Sequence, residues 1–127
     1  MVEVTRHGQR APEKIFDYAL NPEDNFTVPH NLTQVGAENH HATGQTLRNT
    51  LESLHPGFLN REYDSEEVYV QTTCHDRTIG SAVAQLEGLF KIPLSFPEWD
   101  DRFELNTVSC DDDYLLRLDR DKCDRFD

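Results

Sequence analysis

The chain has 127 residues and a formal net charge of −12 at pH 7, and 36% of its residues are hydrophobic. This length allows at most one domain, and the low apolar content predicts a thin core. The negative charge excludes nucleic acid and anionic membrane surfaces as partners, because both would repel the protein.

A basic cluster follows the first predicted strand. Residues 2–5 are rich in β-branched side chains and predict a strand end, after which Arg6, His7 and Arg10 fall within five residues. A guanidinium pairs with a tetrahedral oxyanion through parallel hydrogen bonds, and a neutral imidazole can attack phosphorus. Gly8 lets a ligand come close to the backbone. The cluster predicts an anion site containing a nucleophile; the alternative is a surface turn with ordinary charges.

Residues 13 to 31 predict a polar connection rich in turn signals, with room for a short helix over residues 14–19. The first long helix begins after an N-cap, for which Thr33 competes with Asn31, and Pro56-Gly57 ends it. Its glycines, Gly36 and Gly44, predict a close approach of this helix to the sheet. The apolar residues at helical spacing are Val35, Ala42, Leu47, Leu51 and Leu54.

Two adjacent histidines, His40 and His41, lie inside this helix and raise the question of a metal site. Neighbouring helix positions point about a third of a turn apart. No acidic or cysteine ligand follows either histidine at the third or fourth position. We therefore reject a metal site here and predict that both histidines are solvated on the helix face.

A second strand is predicted over residues 67–73 because Val68, Val70 and Thr72 alternate with other side chains. Helical spacing then predicts a helix from Thr78 to Phe90. Arg77 falls at the junction, where open α/β sheets bind ligands and where a helix N-terminus favours phosphate. The alternative is a structural arginine near a helix cap.

The remainder predicts a third short strand over residues 105–109 and a short amphipathic helix that includes Tyr114, Leu115 and Leu118. The acidic run Asp111 to Asp113 lacks the spaced oxygen ligands, the glycine and the closing glutamate of an EF-hand loop. A solvated helix start, with carboxylates near the positive end of the helix dipole, is the better interpretation.

The sequence also bears on targeting, membrane insertion and covalent modification. Met1 leads directly into the first element without a signal peptide, and no apolar run approaches membrane-spanning length, so we predict no membrane insertion. The three cysteines, Cys74, Cys110 and Cys123, leave one without a partner if two form a bridge. Sequons begin at Asn25 and Asn31 and would accept glycans only on a secretory route.

Taken together, the motifs resemble those of the histidine acid phosphatases, a branch of the histidine phosphatase superfamily. Residues 6–12 are similar to the signature RHGxRxP, and residues 32–48 to LTxxGxxxxxxxGxxLR. Residues 68–90 are similar to VYxRSTDxDRTxxSAxxxLxGLF, except that Gln71 and Cys74 stand where the family has Arg and Asp. Residues 106–126 resemble the segment that follows. The likeness covers nearly the whole chain but only about the first third of a typical family member.

This resemblance implies an α/β chain: a partial three-layer histidine phosphatase fold with a small, mostly parallel sheet flanked by helices. Residues 1–127 would form the N-terminal portion of the domain. It also implies acid phosphatase-like hydrolysis, in which His7 attacks phosphorus and carries a phosphohistidine while Arg6, Arg10 and Arg77 hold the oxygens. No metal or other cofactor is implied, because the arginines supply the positive charge.

The resemblance places the proton donor in a His-Asp pair far downstream, so we interpret His75-Asp76 as a coincidence. We expect the 127 residues alone to bind phosphate weakly and to turn over poorly. Cys123 stands where the family has a cysteine that bridges to a partner far downstream. Family members are commonly secretory, lysosomal or extracellular and often dimeric, and they act on small phosphomonoesters.

Two alternatives stay open. The chain is either catalytic or a non-catalytic remnant of the fold, an acidic module that binds phosphate or a partner. A mutase or phosphatase of the superfamily's other branch also begins RHG, but Arg10, Pro12 and the stretch from Arg77 to Ala82 argue against it.

Overall fold

The computed structural model describes residues 1–14, 18, 28–113, 115 and 116. Within these described residues, two helices and two short strands alternate. They are α1 (Gln34–Leu54), β1 (Gln71–Thr72), α2 (Asp76–Leu89) and β2 (Asn106–Thr107). The prediction of an α/β chain with a small parallel sheet flanked by helices is confirmed.

Helix α1 begins at the predicted cap. The backbone N–H of Gly36 donates to the hydroxyl oxygen of Thr33 over 3.1 Å, which satisfies one of the free donors of the first turn. Thr33, not Asn31, is therefore the N-cap. The helix ends at Leu54, and Gly57 then adopts a φ of 80° in the predicted Pro-Gly turn.

The two helices cross with their backbones in contact. A Cβ on Gly44 would meet the backbone of Gln85 and Leu89 in α2, and a Cβ on Gly88 would meet the backbone of His41 in α1. The expectation that Gly44 faces the sheet is wrong, because it faces the other helix. Apolar side chains of α2 then form the main core with aromatic residues that follow it: Val83, Leu86, Leu89, Phe90 and Phe103.

This helix crossing also overturns the prediction of solvated histidines. His40 is only 8% exposed, and its Nδ1 lies 3.0 Å from the side-chain oxygen of Gln85. His41 is half-buried, with Nε2 2.7 Å from the backbone oxygen of Ile92. The helical pattern of α1 alone does not indicate that α2 covers this face.

The sheet consists of β1 and β2, which pair in parallel with Gln71 opposite Asn106 and Thr72 opposite Thr107. Both strands were predicted at these places but are shorter than residues 67–73 and 105–109. The predicted strand over residues 2–5 is not formed. Val2 and Val4 are 90% and 84% exposed, and no described residue gives this segment the backbone ladder that a strand needs.

Some predictions concern residues near or beyond the described parts. The short helix over residues 14–19 and the amphipathic helix of residues 114–118 lie largely outside them. The prediction of solvated acids is wrong for Asp113, which is 1% exposed and accepts a hydrogen bond from the backbone N–H of Leu116 over 2.9 Å. Neither helix α1 nor helix α2 is long and apolar enough to cross a membrane.

Candidate active site

The basic segment is anchored to the start of α1. Its residues 9–11 run antiparallel to residues 31–33, with Arg10 opposite Leu32. The N–H of Ala11 donates to the Asn31 carbonyl over 2.8 Å, and the N–H of Thr33 donates to the Gln9 carbonyl over 2.9 Å. These two bonds fix the end of the segment that carries Arg10 against the N-terminus of the helix.

Gly8 lies where a side chain would not fit. A Cβ there would stand 2.7 Å from the Gly36 carbonyl oxygen and 2.9 Å from Cδ2 of His40. The predicted need for close approach is therefore met, but the neighbour is α1, which presses directly on the backbone of the segment. This contact fixes the peptide that follows His7.

A serine hydroxyl connects the segment to α2. The N–H of Gly8 donates to Oγ of Ser81 over 2.9 Å, and that hydroxyl donates to the carbonyl oxygen of Arg77 over 2.7 Å. Ser81 therefore joins the backbone beside His7 to the first turn of α2, where Arg77 lies. Two parts of the chain that were predicted to cooperate meet through one buried hydroxyl.

The ring of His7 is held in a definite tautomer. Its Nδ1 lies 2.8 Å from the carbonyl oxygen of Gly8, and the residue is half-buried. A carbonyl oxygen only accepts, so Nδ1 must carry the proton. In the neutral ring, Nε2 then keeps its lone pair, which is the form a nucleophilic imidazole requires.

The three predicted arginines differ in their surroundings. Arg6 is exposed. Arg10 is half-buried, and its guanidinium donates to the Ala11 carbonyl over 3.1 Å and to the carboxylate of Glu13 over 3.3 Å. Nε of Arg77 is buried and has no hydrogen-bond partner among the described residues. A buried donor without an acceptor costs about 1–3 kcal/mol, so an oxyanion reaching this group would be favoured.

The turn that carries Arg77 is tightly tied. The hydroxyl of Thr78 faces the carbonyl oxygens of His75 at 2.7 Å and Thr73 at 3.0 Å, and it accepts from the Thr73 hydroxyl over 2.8 Å. A disulfide joins Cys74 in the same turn to Cys110, whose Cα lies 5.4 Å away. Arg77 is thus presented at the N-terminus of α2, as predicted from its place between strand and helix.

A cavity of about 400 Å³ opens beside the N-terminal segment. Arg6 and His7 line it together with Thr72, Thr73 and Ser81, whereas Arg10 and Arg77 do not. The structure therefore brings two of the four predicted site residues to one cavity and links a third, Arg77, through Ser81. Convergence of all three guanidinium groups on the His7 ring stays a prediction.

Three site features were not predicted from the sequence. They are the bonding role of Ser81, the chain from His40 through Gln85 to the carboxylate of Glu3, and the disulfide. Cys74 and Cys110 each directly follow a predicted strand. This shared position was the signal from which the bridge could have been predicted. Cys74, His75 and Cys110 are the one group of described residues with metal-ligand spacing, but the two sulfur atoms are bonded to each other.

Comparison with known proteins agrees with these motifs. The family described as histidine phosphatase superfamily (branch 2) matches residues 1–127. The chain is 36% identical over 132 residues to lysosomal acid phosphatase of Bos taurus, and 34% identical over 131 residues to prostatic acid phosphatase of Homo sapiens. These alignments cover 96% and 97% of the chain but only 29% and 32% of the relatives. The chain therefore spans about a third of their length.

Proposed function

This chain belongs to branch 2 of the histidine phosphatase superfamily, and we propose on that basis that it supplies the nucleophile and much of the phosphate site of a phosphomonoester hydrolase. Residues 1–127 then form the N-terminal portion of the catalytic domain. The observation that carries the proposal is the bond from His7 Nδ1 to the Gly8 carbonyl, because it leaves Nε2 as a nucleophile. The substrate class is a small phosphomonoester.

The chemistry proceeds in two displacements. Nε2 of His7 forms a bond to phosphorus while the ester P–O bond breaks and its electron pair leaves on the alcohol oxygen. Water then attacks phosphorus of the phosphohistidine and the P–N bond breaks. Inorganic phosphate is released and neutral His7 is restored. In the first step the alcohol oxygen needs a proton from a general acid.

The arginines supply the electrostatic part of the mechanism. Charge on the three non-bridging oxygens must be neutralised as phosphorus is transferred, and guanidinium forks match these oxygens by paired hydrogen bonds. We assign this role to Arg6, Arg10 and Arg77. The unpartnered Nε of Arg77 supports its assignment, and the carboxylate of Glu13 competes with phosphate for Arg10.

Protonation of the leaving group limits what these residues do alone. The family resemblance places the general acid outside the part of the fold that this chain matches, and such a group typically contributes about 10²–10⁴-fold to the rate. We therefore expect the 127 residues to bind phosphate weakly and to hydrolyse alkyl phosphates poorly. Hydrolysis of p-nitrophenyl phosphate should be less impaired, because its p-nitrophenolate leaving group needs little protonation.

Trapping of the covalent intermediate tests the proposal. The purified chain is mixed with radiolabelled p-nitrophenyl phosphate and stopped in base, in which phosphohistidine survives, and the label is located by peptide mapping. We expect label on His7 and none in His7→Ala. His55→Ala, which alters an exposed histidine at the end of α1, is the matched control and should retain the label.

A second candidate is a non-catalytic phosphate-binding remnant of the fold. It is favoured by Gln71 and Cys74, which stand where the family has Arg and Asp. Inorganic phosphate that shifts its phosphorus NMR signal on addition of the chain, without any label on His7, would favour this candidate. The dimer expected from the resemblance is also a proposal, which sedimentation equilibrium would test.

A further inference from the structure

The disulfide lies close to the proposed phosphate site. Cys74 follows β1 and precedes Arg77 in the turn that leads into α2, and Cys110 follows β2. Because parallel strands place their carboxyl ends at the same edge of a sheet, the two cysteines meet there. Their Cα separation of 5.4 Å falls within the usual range for a disulfide.

The sheet from which this turn leads is short. Strands β1 and β2 share only two residue pairs. The Thr78 hydroxyl binds groups within the turn itself, and Ser81 holds the carbonyl of Arg77 rather than its side chain. The disulfide is therefore the covalent connection between the turn that carries Arg77 and the chain that leaves β2.

We propose that the Cys74–Cys110 disulfide is a positioning element for Arg77 and that it makes phosphate binding sensitive to thiol reductants. A dithiol gives each cysteine sulfur a hydrogen and becomes a cyclic disulfide itself. The turn then has no covalent link to the chain after β2, and the Arg77 side chain is held less firmly in the orientation in which its buried Nε can pair with an oxyanion. This inference rests on the proposed function, since it needs Arg77 to bind phosphate.

Preorganisation sets the expected size of the effect. A group held in its binding orientation avoids the entropy cost of being ordered when the ligand arrives, whereas a released arginine must meet that cost. We expect reduction to weaken phosphate binding about three- to tenfold, the range that follows from ordering one long side chain. Contacts made by Arg6 and His7 should persist, because the disulfide does not hold their segment.

A phosphate titration followed by phosphorus NMR makes the comparison. It uses the full 127-residue chain in oxidised form, in dithiothreitol, and as the double variant Cys74→Ser/Cys110→Ser. Cys123→Ser is the matched control, because it removes a cysteine outside the pair. The double variant should bind like the reduced chain, and Cys123→Ser like the oxidised chain.

A double-mutant cycle separates positioning from a general structural role. Arg77→Ala should weaken binding in the oxidised chain but have little further effect when the disulfide is absent. Arg6→Ala should weaken binding by the same factor in both backgrounds. Equal losses from Arg77→Ala with and without the disulfide would overturn the proposal.

Thermodynamic linkage gives a second test that does not depend on how well the serine variants fold. If the disulfide favours phosphate binding, saturating phosphate must make the disulfide harder to reduce in a dithiothreitol redox buffer by the same factor. Arg77→Ala should abolish this protection. Protection that is absent, or that survives Arg77→Ala, would overturn the inference.

The outcomes also distinguish this inference from the proposed function. An oxidised chain whose phosphate binding is indifferent to His7→Ala, Arg6→Ala and Arg77→Ala would defeat the proposed function. An oxidised chain that binds phosphate through these residues equally well in dithiothreitol would defeat only the role of the disulfide.

Discussion

The backbone N–H of Gly8 and the hydroxyl of Ser81 lie 2.9 Å apart although 73 residues separate them in the chain. The same hydroxyl donates to the carbonyl oxygen of Arg77. One small side chain thus relates the peptide that orients His7 to the helical turn that presents Arg77. Substitution of this serine should disturb both.

We expect Ser81→Ala to lower the free energy of unfolding by about 1–3 kcal/mol, because the Gly8 N–H loses its acceptor in a part-buried position. Phosphate binding should weaken as well, since the His7 peptide is no longer fixed. Chemical denaturation and a phosphate titration measure the two effects. Ser109→Ala, which removes an exposed hydroxyl bonded to Asp112, should change neither by much. Unchanged phosphate affinity in Ser81→Ala would contradict the link.

Gly8→Ala tests the close contact between the basic segment and α1. Its Cβ would stand 2.7 Å from the Gly36 carbonyl, so the segment must shift, at a cost of about 1–3 kcal/mol. Both stability and phosphate affinity should fall. Gly57→Ala is the matched control: its φ of 80° strains an alanine, but nothing lies within 4 Å of the added carbon. It should lower the melting temperature and leave phosphate affinity unchanged.

Glu13 should restrain phosphate binding through its ion pair with Arg10. The Glu13 side chain is mostly exposed, and exposed ion pairs contribute at most about 1 kcal/mol of interaction free energy. Glu13→Gln should therefore strengthen phosphate binding by no more than about fivefold, the factor that corresponds to 1 kcal/mol. Isothermal titration calorimetry checks this. Glu62→Gln removes an equal charge from an exposed position elsewhere and should have a much smaller effect.

Glu87 has a structural role that should leave binding untouched. It is fully buried in α2, and its carboxylate accepts from the backbone N–H of Ser95 over 2.7 Å and from its hydroxyl over 2.8 Å. Hydrogen bonds to a charged group contribute about 1.5–3 kcal/mol each. Glu87→Ala should lower the free energy of unfolding by at least that amount, while the folded fraction binds phosphate normally. Chemical denaturation monitored by fluorescence would measure the loss of stability. A lower phosphate affinity of the folded variant would contradict this structural role.

Local signals in the sequence were enough to locate much of this architecture. Thr33 is the N-cap because its hydroxyl is suited to the free N–H groups of the first turn, and Arg77 lies at the junction where alternating and helical patterns meet. Alternation of side chains predicted strands that are longer than those observed. It reports which residues favour extended backbone but not whether a neighbouring strand supplies the ladder.

The features that the sequence did not predict depend on contacts between distant parts of the chain. His40 is buried because the glycine at position 44 lets α2 approach α1. The glycines of α1 predict a close approach, but nothing within α1 identifies α2 as the neighbour. The partner of Cys74 depends on how β1 and β2 align, which an odd number of cysteines does not determine. The function of the Ser81 hydroxyl likewise depends on a segment from the other end of the chain.

The hydroxyl of Thr33 forms hydrogen bonds with two separate parts of the chain. It accepts from the Gly36 N–H that opens α1, and it faces the backbone oxygen of Gln9 at 3.1 Å and the side-chain oxygen at 2.9 Å. Fraying at the start of that helix would therefore release the basic segment at the same moment. In hydrogen–deuterium exchange, the amides of Ala11 and Gly36 should open as one cooperative unit, coupling local melting of a helix end to loss of an anion-binding surface.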